Sequence, residues 1–299
     1  MTTRTRTWIL LAGLSALFVA FGGLVGGTSG IVVFLAIAVV VNFAMFWFSD
    51  RIALSMSRAR PLEAGVAPDL VADVEDLSAR ARIPVPRLYL IPSKQPNAFA
   101  TGRSPRHSAV AVTEGLLAIM PREQVRGVLA HELAHIRNRD VLVTTIAAMI
   151  GAAISAIANF LQFQWLFGGG DDEDSPLGVV GTIAAVLIAP IAAMVMQFAV
   201  SRQREYLADA TAAELMGTGR PLADALGTLE RGVQALPMQV NPASASLYIV
   251  NPLSGGGLAR LLSTHPPIAE RIARLEAFDA ARAAVPLMGF SVADGGTTA

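Results

Sequence analysis

Four long apolar segments limit what this chain can fold into. They run from Trp8 to Gly26, Ile31 to Phe48, Val141 to Phe160 and Leu177 to Val200. Each is close to the ~20 residues that a helix needs to cross the ~30 Å hydrocarbon core of a bilayer. Of the 299 residues, 53% are hydrophobic and 15% are charged, which is more apolar than a typical soluble domain. We therefore predict an integral membrane protein with four helical spans.

The segments between the spans predict their pairing and orientation. A Gly-rich turn joins the first two spans, and the acidic segment Gly168 to Pro176 joins the last two, so we expect two helical hairpins. Neither connection contains Lys or Arg, whereas arginines flank the other ends of the spans: Arg4, Arg6, Arg51, Arg58, Arg60, Arg137, Arg139, Arg202 and Arg204. By the positive-inside rule, both termini and both soluble segments are cytoplasmic.

The predicted domains follow from this division. Residues 1–60 form the N-terminal hairpin, 61–140 the first part of a cytoplasmic domain, 141–200 the second hairpin, and 201–299 the second part with a C-terminal tail. Apolar spacing predicts a helix from Pro68 to Arg82. Three short alternating or β-branched segments after it, RLYLI, NAFATG and SAVAVTEGLL, predict a small sheet. The fold class is thus a mainly α membrane protein with a cytoplasmic α+β domain.

The segment VLAHELAHIRNRD contains the pattern His-Glu-x-x-His. Positions i and i+4 share one face of a helix, so His131 and His135 can bind one metal ion while Glu132 lies beside them. The alternative, a surface helix with incidental histidines, fits poorly because the neighbouring residues are apolar and buried imidazoles need partners. The spacing therefore favours a zinc hydrolase site.

Catalytic zinc needs a third protein ligand, and the chain contains no cysteine. The best candidate is Glu205, in a helical segment directly after the fourth span, and Asp209 one turn later would hold the other ring nitrogen of a ligating histidine. If Glu205 is not the ligand, the next candidates are Asp209 and Glu214. In the alternative interpretation, both carboxylates form salt bridges with Arg202 and Arg204.

Four motifs in order, NAFATG, HELAH, EYLADA and THPPIAERI, resemble those of the HtpX-type heat-shock membrane metalloproteases, which are relatives of the type 1 CaaX prenyl proteases. The resemblance covers nearly the whole chain, except the tail after Val285. It implies a zincin-like domain in which His131, His135 and Glu205 hold one zinc ion and Glu132 is the base for a zinc-activated water. It also implies an endopeptidase of the bacterial cytoplasmic (inner) membrane, facing the cytoplasm, that cleaves misfolded or damaged membrane proteins.

Three further residues are site candidates. Asn97 could bind substrate backbone beside an exposed sheet edge, or it could be a turn residue. By resemblance to the prenyl proteases, His265 or Arg271 supplies a hydrogen-bond donor to the oxyanion. Alternatively, His265 caps a helix, and Arg271 pairs on the surface with a neighbouring glutamate, Glu270 or Glu276.

Two other classes of function stay open. One is a transporter or channel with a metal-sensing domain, although the predicted spans contain no charged residue of the kind that marks an ion path. The other is an inactive membrane scaffold or chaperone that binds protein clients, which the complete ligand set argues against. Basic and acidic residues number 23 each, so the charge gives no indication of a nucleic-acid partner.

Overall fold

A computed structural model describes residues 3–63, 65–150, 202–236, 247–250 and 266–284. The elements in these ranges, in chain order, are α1 (Thr3–Trp47), α2 (Ser49–Met56), β1 (Arg60–Pro61), α3 (Pro68–Ala81), β2 (Arg87–Ile91), β3 (Ala98–Ser104), β4 (His107–Thr113), α4 (Glu114–Ile119), α5 (Arg122–Asn138), α6 (Val141–Ile150), α7 (Arg202–Met216), α8 (Arg220–Ala235) and α9 (Ile268–Ala283). The end of the third predicted span, the whole fourth span, His265 and the tail lie outside the described residues.

Helix α1 is a hairpin of two helices. Its backbone leaves helical geometry at Gly26 and Gly27, and the φ of 55° at Gly27 is one that glycine adopts readily. The two halves contact each other, since the Asn42 side-chain amide donates to the Leu11 carbonyl at 3.2 Å and to the Ser15 hydroxyl at 2.7 Å. The Gly-rich turn therefore reverses the chain, as its composition predicts.

The apolar exterior of this hairpin suits a lipid environment. Within the described ranges, one helical segment, Gly26–Trp47, is long and apolar enough to cross a membrane, and Thr5–Ala20 and Val141–Ile150 are shorter apolar helices. Large apolar side chains on the second half of the hairpin are more than half exposed, among them Val32, Val39, Val40 and Phe43. Helix α6 packs against the hairpin through a separate apolar cluster.

The small sheet has the strand order β1-β2-β4-β3. Strands β2 and β4 are parallel, whereas β1 and β3 pair antiparallel with their neighbours, so β3 lies at one edge. Strand β2 is the predicted segment RLYLI. Strand β3 contains NAFATG except for its first residue, and β4 contains SAVAVT, whereas the rest of the third predicted segment begins α4. The prediction of a small sheet is confirmed.

Helix α5 lies at the centre of the soluble part. It packs against β3, α3, α7 and α8, and every residue from Gly127 to Ala134 is buried. Gly127 permits the close approach of α8, because a Cβ at this position would lie 2.7 Å from the backbone nitrogen of Leu222. One apolar core contains residues from both soluble pieces of the chain. This packing brings the helices before and after the second predicted hairpin together.

Candidate metal centre

Helix α5 presents both histidines of the motif on one face. His131 is buried and His135 is largely so, and their Nε2 atoms lie 3.0 Å apart. Pro121 precedes the first turn, where a missing N–H is tolerated, and the helix ends at Arg139, whose φ of 59° reverses the backbone. The spacing of i and i+4 therefore places two imidazoles side by side in the interior.

Helix α7 adds a carboxylate to this pair. Glu205 Oε1 lies 3.6 Å from His135 Nε2, and Glu205 Oε2 lies 3.8 Å from His131 Nε2. One potential ligand atom from each of the three residues falls within 4.8 Å of the others, and no second group of this kind occurs in the described part of the chain.

The donor set fits zinc. With Zn–N bonds of 2.0–2.1 Å, two nitrogens on a tetrahedral zinc ion lie roughly 3.3 Å apart, close to the observed separation of the two Nε2 atoms. The charges agree: burial alone would lower the pKa of His135, but the carboxylates of Asp140, Glu205 and Glu132 outweigh burial and raise this pKa to about 10. The surroundings therefore favour a positive charge at this point.

In each histidine, a carboxylate contacts the ring nitrogen Nδ1. His131 Nδ1 lies 2.9 Å from Asp209 Oδ1, and His135 Nδ1 lies 3.1 Å from both oxygens of Asp140. Both aspartates are buried. Such partners fix the orientation and tautomer of a metal-binding imidazole, and here they would leave Nε2 of each ring free to hold a metal ion. Asp209 therefore contacts the ring nitrogen of His131 that does not face His135, and its role in orienting a metal ligand stays a prediction.

Asp140 is absent from the sequence predictions. It follows the reversal of the backbone at Arg139, and its backbone N–H donates to the His135 carbonyl at 3.3 Å. The reversal folds its carboxylate back onto the His135 ring. The signal in the sequence was an acidic residue five positions after the second histidine, but helical periodicity does not continue past the helix end, so spacing alone could not place it.

Glu132 lies between α5 and the edge of the sheet. It is buried, and its carboxylate accepts a hydrogen bond from the backbone N–H of Ala100 in β3. Burial raises the pKa of Glu132 to about 7, the nearby Glu205 charge adds to this effect, and His135 opposes it. A carboxyl group with a pKa in this range can both accept and donate a proton at neutral pH.

Arg271 is wholly buried in α9. Its Nε and Nη2 donate to the two oxygens of Asp209 at 2.8 and 2.7 Å, and its Nη1 donates to the Ile249 carbonyl at 3.1 Å. Burial alone would raise the pKa of Asp209, but Arg271 and His131 hold this pKa well below its usual range. The alternative of a surface pair with a glutamate is wrong, because Arg271 has no exposed surface and Arg274 pairs with Glu270.

This placement bears on the oxyanion role considered for Arg271. Its Nη2 lies 3.4 Å from His131 Nε2, so the guanidinium does reach the cluster. Three of its five N–H groups donate to protein oxygens, and its Nη1 also lies 3.7 Å from Glu205 Oε2. His265, the other candidate donor, lies outside the described residues.

Asn97 does not reach the cluster. It is fully buried, and its side-chain amide donates to the Val250 carbonyl at 2.9 Å while its carbonyl oxygen accepts from the Ala98 N–H at 3.1 Å. These bonds attach the segment 247–250 to the start of β3. The side-chain nitrogen and oxygen of Asn97 both bond within the protein, and the substrate-binding role considered for Asn97 stays a prediction.

Comparison with known proteins gives consistent matches. Residues 66–279 match the sequence model described as Peptidase family M48. A "Protease HtpX homolog" of Pelotomaculum thermopropionicum is 52% identical over 274 residues, covering 91% of this chain and 98% of that protein. One from Syntrophobacter fumaroxidans is 50% identical over 279 residues, covering 92% and 99% respectively.

A solved structure is similar in fold. The crystal structure of S. mikatae Ste24p matches with a TM-score of 0.50 and 22% sequence identity. The match covers 89% of this chain but only 62% of the longer Ste24p chain. At this level of identity the likeness concerns the fold alone.

Proposed function

The chain belongs to peptidase family M48 and is a membrane-bound metalloprotease, and on this premise we propose that His131, His135 and Glu205 bind one zinc ion per chain and that Glu132 is the general base. The observation that carries the proposal is the convergence of the three ligand atoms within 4.8 Å in the interior. Two ligands come from α5 and one from α7, so the site depends on the packing of these helices.

The roles of the protein groups follow from their positions. When bound, zinc acts as a Lewis acid that lowers the pKa of water and polarises the scissile carbonyl. Glu132 accepts a proton from the attacking water and returns it to the leaving amine. The Ala100 N–H and the buried surroundings hold its carboxylate in one position. Because Glu132 is not a ligand in this proposal, it stays free to transfer the proton.

Two buried carboxylates orient the ligands. Asp140 holds the ring of His135, and Asp209 holds the ring of His131. Arg271 in turn holds both oxygens of Asp209, which keeps this carboxylate ionised and in place. We therefore propose that Arg271 positions Asp209, and the oxyanion role considered for Arg271 stays a prediction.

The edge of β3 suits an extended peptide substrate. The Thr113 N–H donates to the Asn97 carbonyl, so the backbone groups of Asn97 face β4. Alternate residues of a strand direct their backbone groups to opposite sides, and those of Ala98 and Ala100 therefore face away from β4. The Ile249 N–H already pairs with the Ala98 carbonyl at 3.0 Å, as an added strand would. A protein substrate would add to this edge by taking the place of the Ile249 backbone on the Ala98 carbonyl, whereas the Ala100 N–H stays with Glu132.

The membrane arrangement is part of the proposal. We propose four spans in two hairpins, in the bacterial cytoplasmic membrane, with the active site facing the cytoplasm and the domain division given above. The reversal within α1, the exposed apolar side chains of the hairpin and the distribution of arginines support it. The substrates we propose are misfolded or damaged membrane proteins, since the site lies close to the bilayer.

Metal analysis combined with a cleavage assay tests the proposed site. Purified full-length protein should contain one zinc ion per chain and degrade an unfolded soluble substrate such as casein. Glu132→Gln should keep the zinc and lose cleavage, whereas His135→Ala and Glu205→Ala should lose both. Full zinc content and activity in Glu205→Ala would refute the third ligand and direct attention to Asp209 or Glu214. Wild-type protein that binds zinc without cleaving would instead support the scaffold function.

A further inference from the structure

A cavity separate from the candidate metal centre lies where the α1 hairpin meets the soluble part. Its volume is about 700 Å³, and none of the candidate metal ligands lines it. One wall consists of residues at the ends of the apolar segments, namely Thr7 and Trp8 from the first, Phe46 from the second and Leu142 from the third. In the proposed topology these ends mark where the spans leave the bilayer, which would place the cavity at the level of the lipid headgroups.

The opposite wall is strongly basic. It contains five arginines from three places in the fold: Arg82 after α3, Arg103 and Arg106 from the β3–β4 hairpin, and Arg137 and Arg139 at the end of α5. Among the described residues, no acidic one lines the cavity. Across the described ranges, none of the five arginines has a carboxylate within 4.0 Å, although other arginines do. The cavity therefore concentrates positive charge that the described protein groups do not neutralise.

Helix ends explain only part of this cluster. Arg82 and Arg139 follow the last turns of α3 and α5, where a positive charge interacts favourably with the helix dipole. Arg103 and Arg106 belong to a strand pair, and no helix end accounts for their convergence on the same cavity. Arg103 also donates to the Trp47 carbonyl at 3.1 Å and lies over the Trp47 ring, which ties the basic wall to the membrane hairpin.

We propose that this cavity binds the headgroup of an anionic phospholipid. Guanidinium groups bind phosphate oxygens through paired hydrogen bonds, and basic pockets at the cytoplasmic ends of membrane helices attract anionic lipids. The apolar wall, with Trp8 and Phe46, provides a surface for the start of the acyl chains of a lipid. A soluble phosphate compound has no acyl chains to contact this wall. This lipid site goes beyond the proposed function. It depends on the membrane attachment of the protein and does not depend on the peptidase chemistry.

A binding experiment on the full-length protein in detergent tests the assignment. Delipidated protein is titrated with dioctanoylphosphatidylglycerol, with the phosphatidylcholine of the same chain length, and with glycerol phosphate, and bound molecules are counted by native mass spectrometry. The test variant is Arg106→Gln/Arg137→Gln. The matched control is Arg51→Gln/Arg60→Gln, which removes the same charge from exposed arginines that follow the second apolar segment but do not line the cavity.

The expected result is preferential binding of phosphatidylglycerol. Each arginine near the membrane surface contributes about 5-fold to affinity, so the test variant should weaken binding about 25-fold while the control changes it little. Arg106→Lys/Arg137→Lys keeps the charge and should stay within about 5-fold of wild type. Casein cleavage by each variant is read separately, so a failure here leaves the proposed metal site untouched.

Three results would overturn the assignment. Equal affinity for the two lipids would show that the headgroup charge is not recognised. Equal losses in the test and control variants would show general attraction to the protein surface. Glycerol phosphate binding as tightly as phosphatidylglycerol would show a site for a soluble phosphate and not for a lipid.

Discussion

Removal of the Asp140 carboxylate should weaken zinc binding without touching a metal ligand. Both carboxylate oxygens lie 3.1 Å from His135 Nδ1, and the side chain is buried at the junction of α5 and α6. In Asp140→Ala, the His135 ring loses the acceptor that fixes its orientation, and a buried N–H is left without a partner. The backbone carbonyl of Asp140, which accepts from the Thr144 N–H, is unaffected by the change.

The magnitude follows from the kind of contact. Loss of a hydrogen-bond partner behind a metal-binding histidine typically lowers metal affinity 10–100-fold, or about 1.4–2.7 kcal/mol. Since both oxygens contact the ring and Asp140 is buried, we expect a value in the upper half of that range for Asp140→Ala. Asp140→Asn keeps one acceptor oxygen and should lose roughly 10-fold.

The assay combines affinity with spectroscopy. Zinc affinity is measured by competition with a chelator, and the visible absorption spectrum of the cobalt-substituted protein reports the ligand geometry. The control is Glu123→Ala, an exposed carboxylate on the same helix. Zinc affinity within about 3-fold of wild type and an unchanged cobalt spectrum in Asp140→Ala would refute the positioning role. A lower melting temperature alone, with both readouts unchanged, would show that Asp140 only stabilises the fold.

Three further outcomes are expected. Arg271→Lys keeps the charge but loses the paired hydrogen bonds to Asp209. It should therefore lower kcat about 10-fold at saturating zinc with little change in KM, and a kcat equal to that of wild type would contradict the positioning role. Because the chain has no native cysteine, single cysteines at Thr28 and Ser104 should be labelled from opposite sides of the membrane, and labelling of both from one side would exclude the proposed topology. Gly127→Ala should destabilise the protein by about 1–3 kcal/mol, since its Cβ would meet the α8 backbone, whereas Gly227→Ala, whose Cβ would meet only the Arg231 side chain at 3.5 Å, should leave the melting temperature unchanged or raise it.

The sequence was most informative where the controlling geometry is local. A separation of four residues places His131 and His135 on one helix face whatever the rest of the chain does. Glu205 and Asp209 are related in the same way in α7, and the alternation of RLYLI makes β2 a strand wherever it pairs. Length and hydropathy likewise predict the apolar hairpin without any knowledge of its contacts.

The tertiary structure decided what lies across from these elements. Whether Glu205 faces the histidines depends on the packing of α7 against α5, which spacing along the chain does not determine. Asp140 reaches His135 because the backbone at Arg139 adopts a left-handed conformation. Arg271, far along the chain, can be buried because Asp209 and the Ile249 carbonyl accept its hydrogen bonds. Periodicity describes one element at a time, and a buried charge is stable only where partners from other elements converge on it.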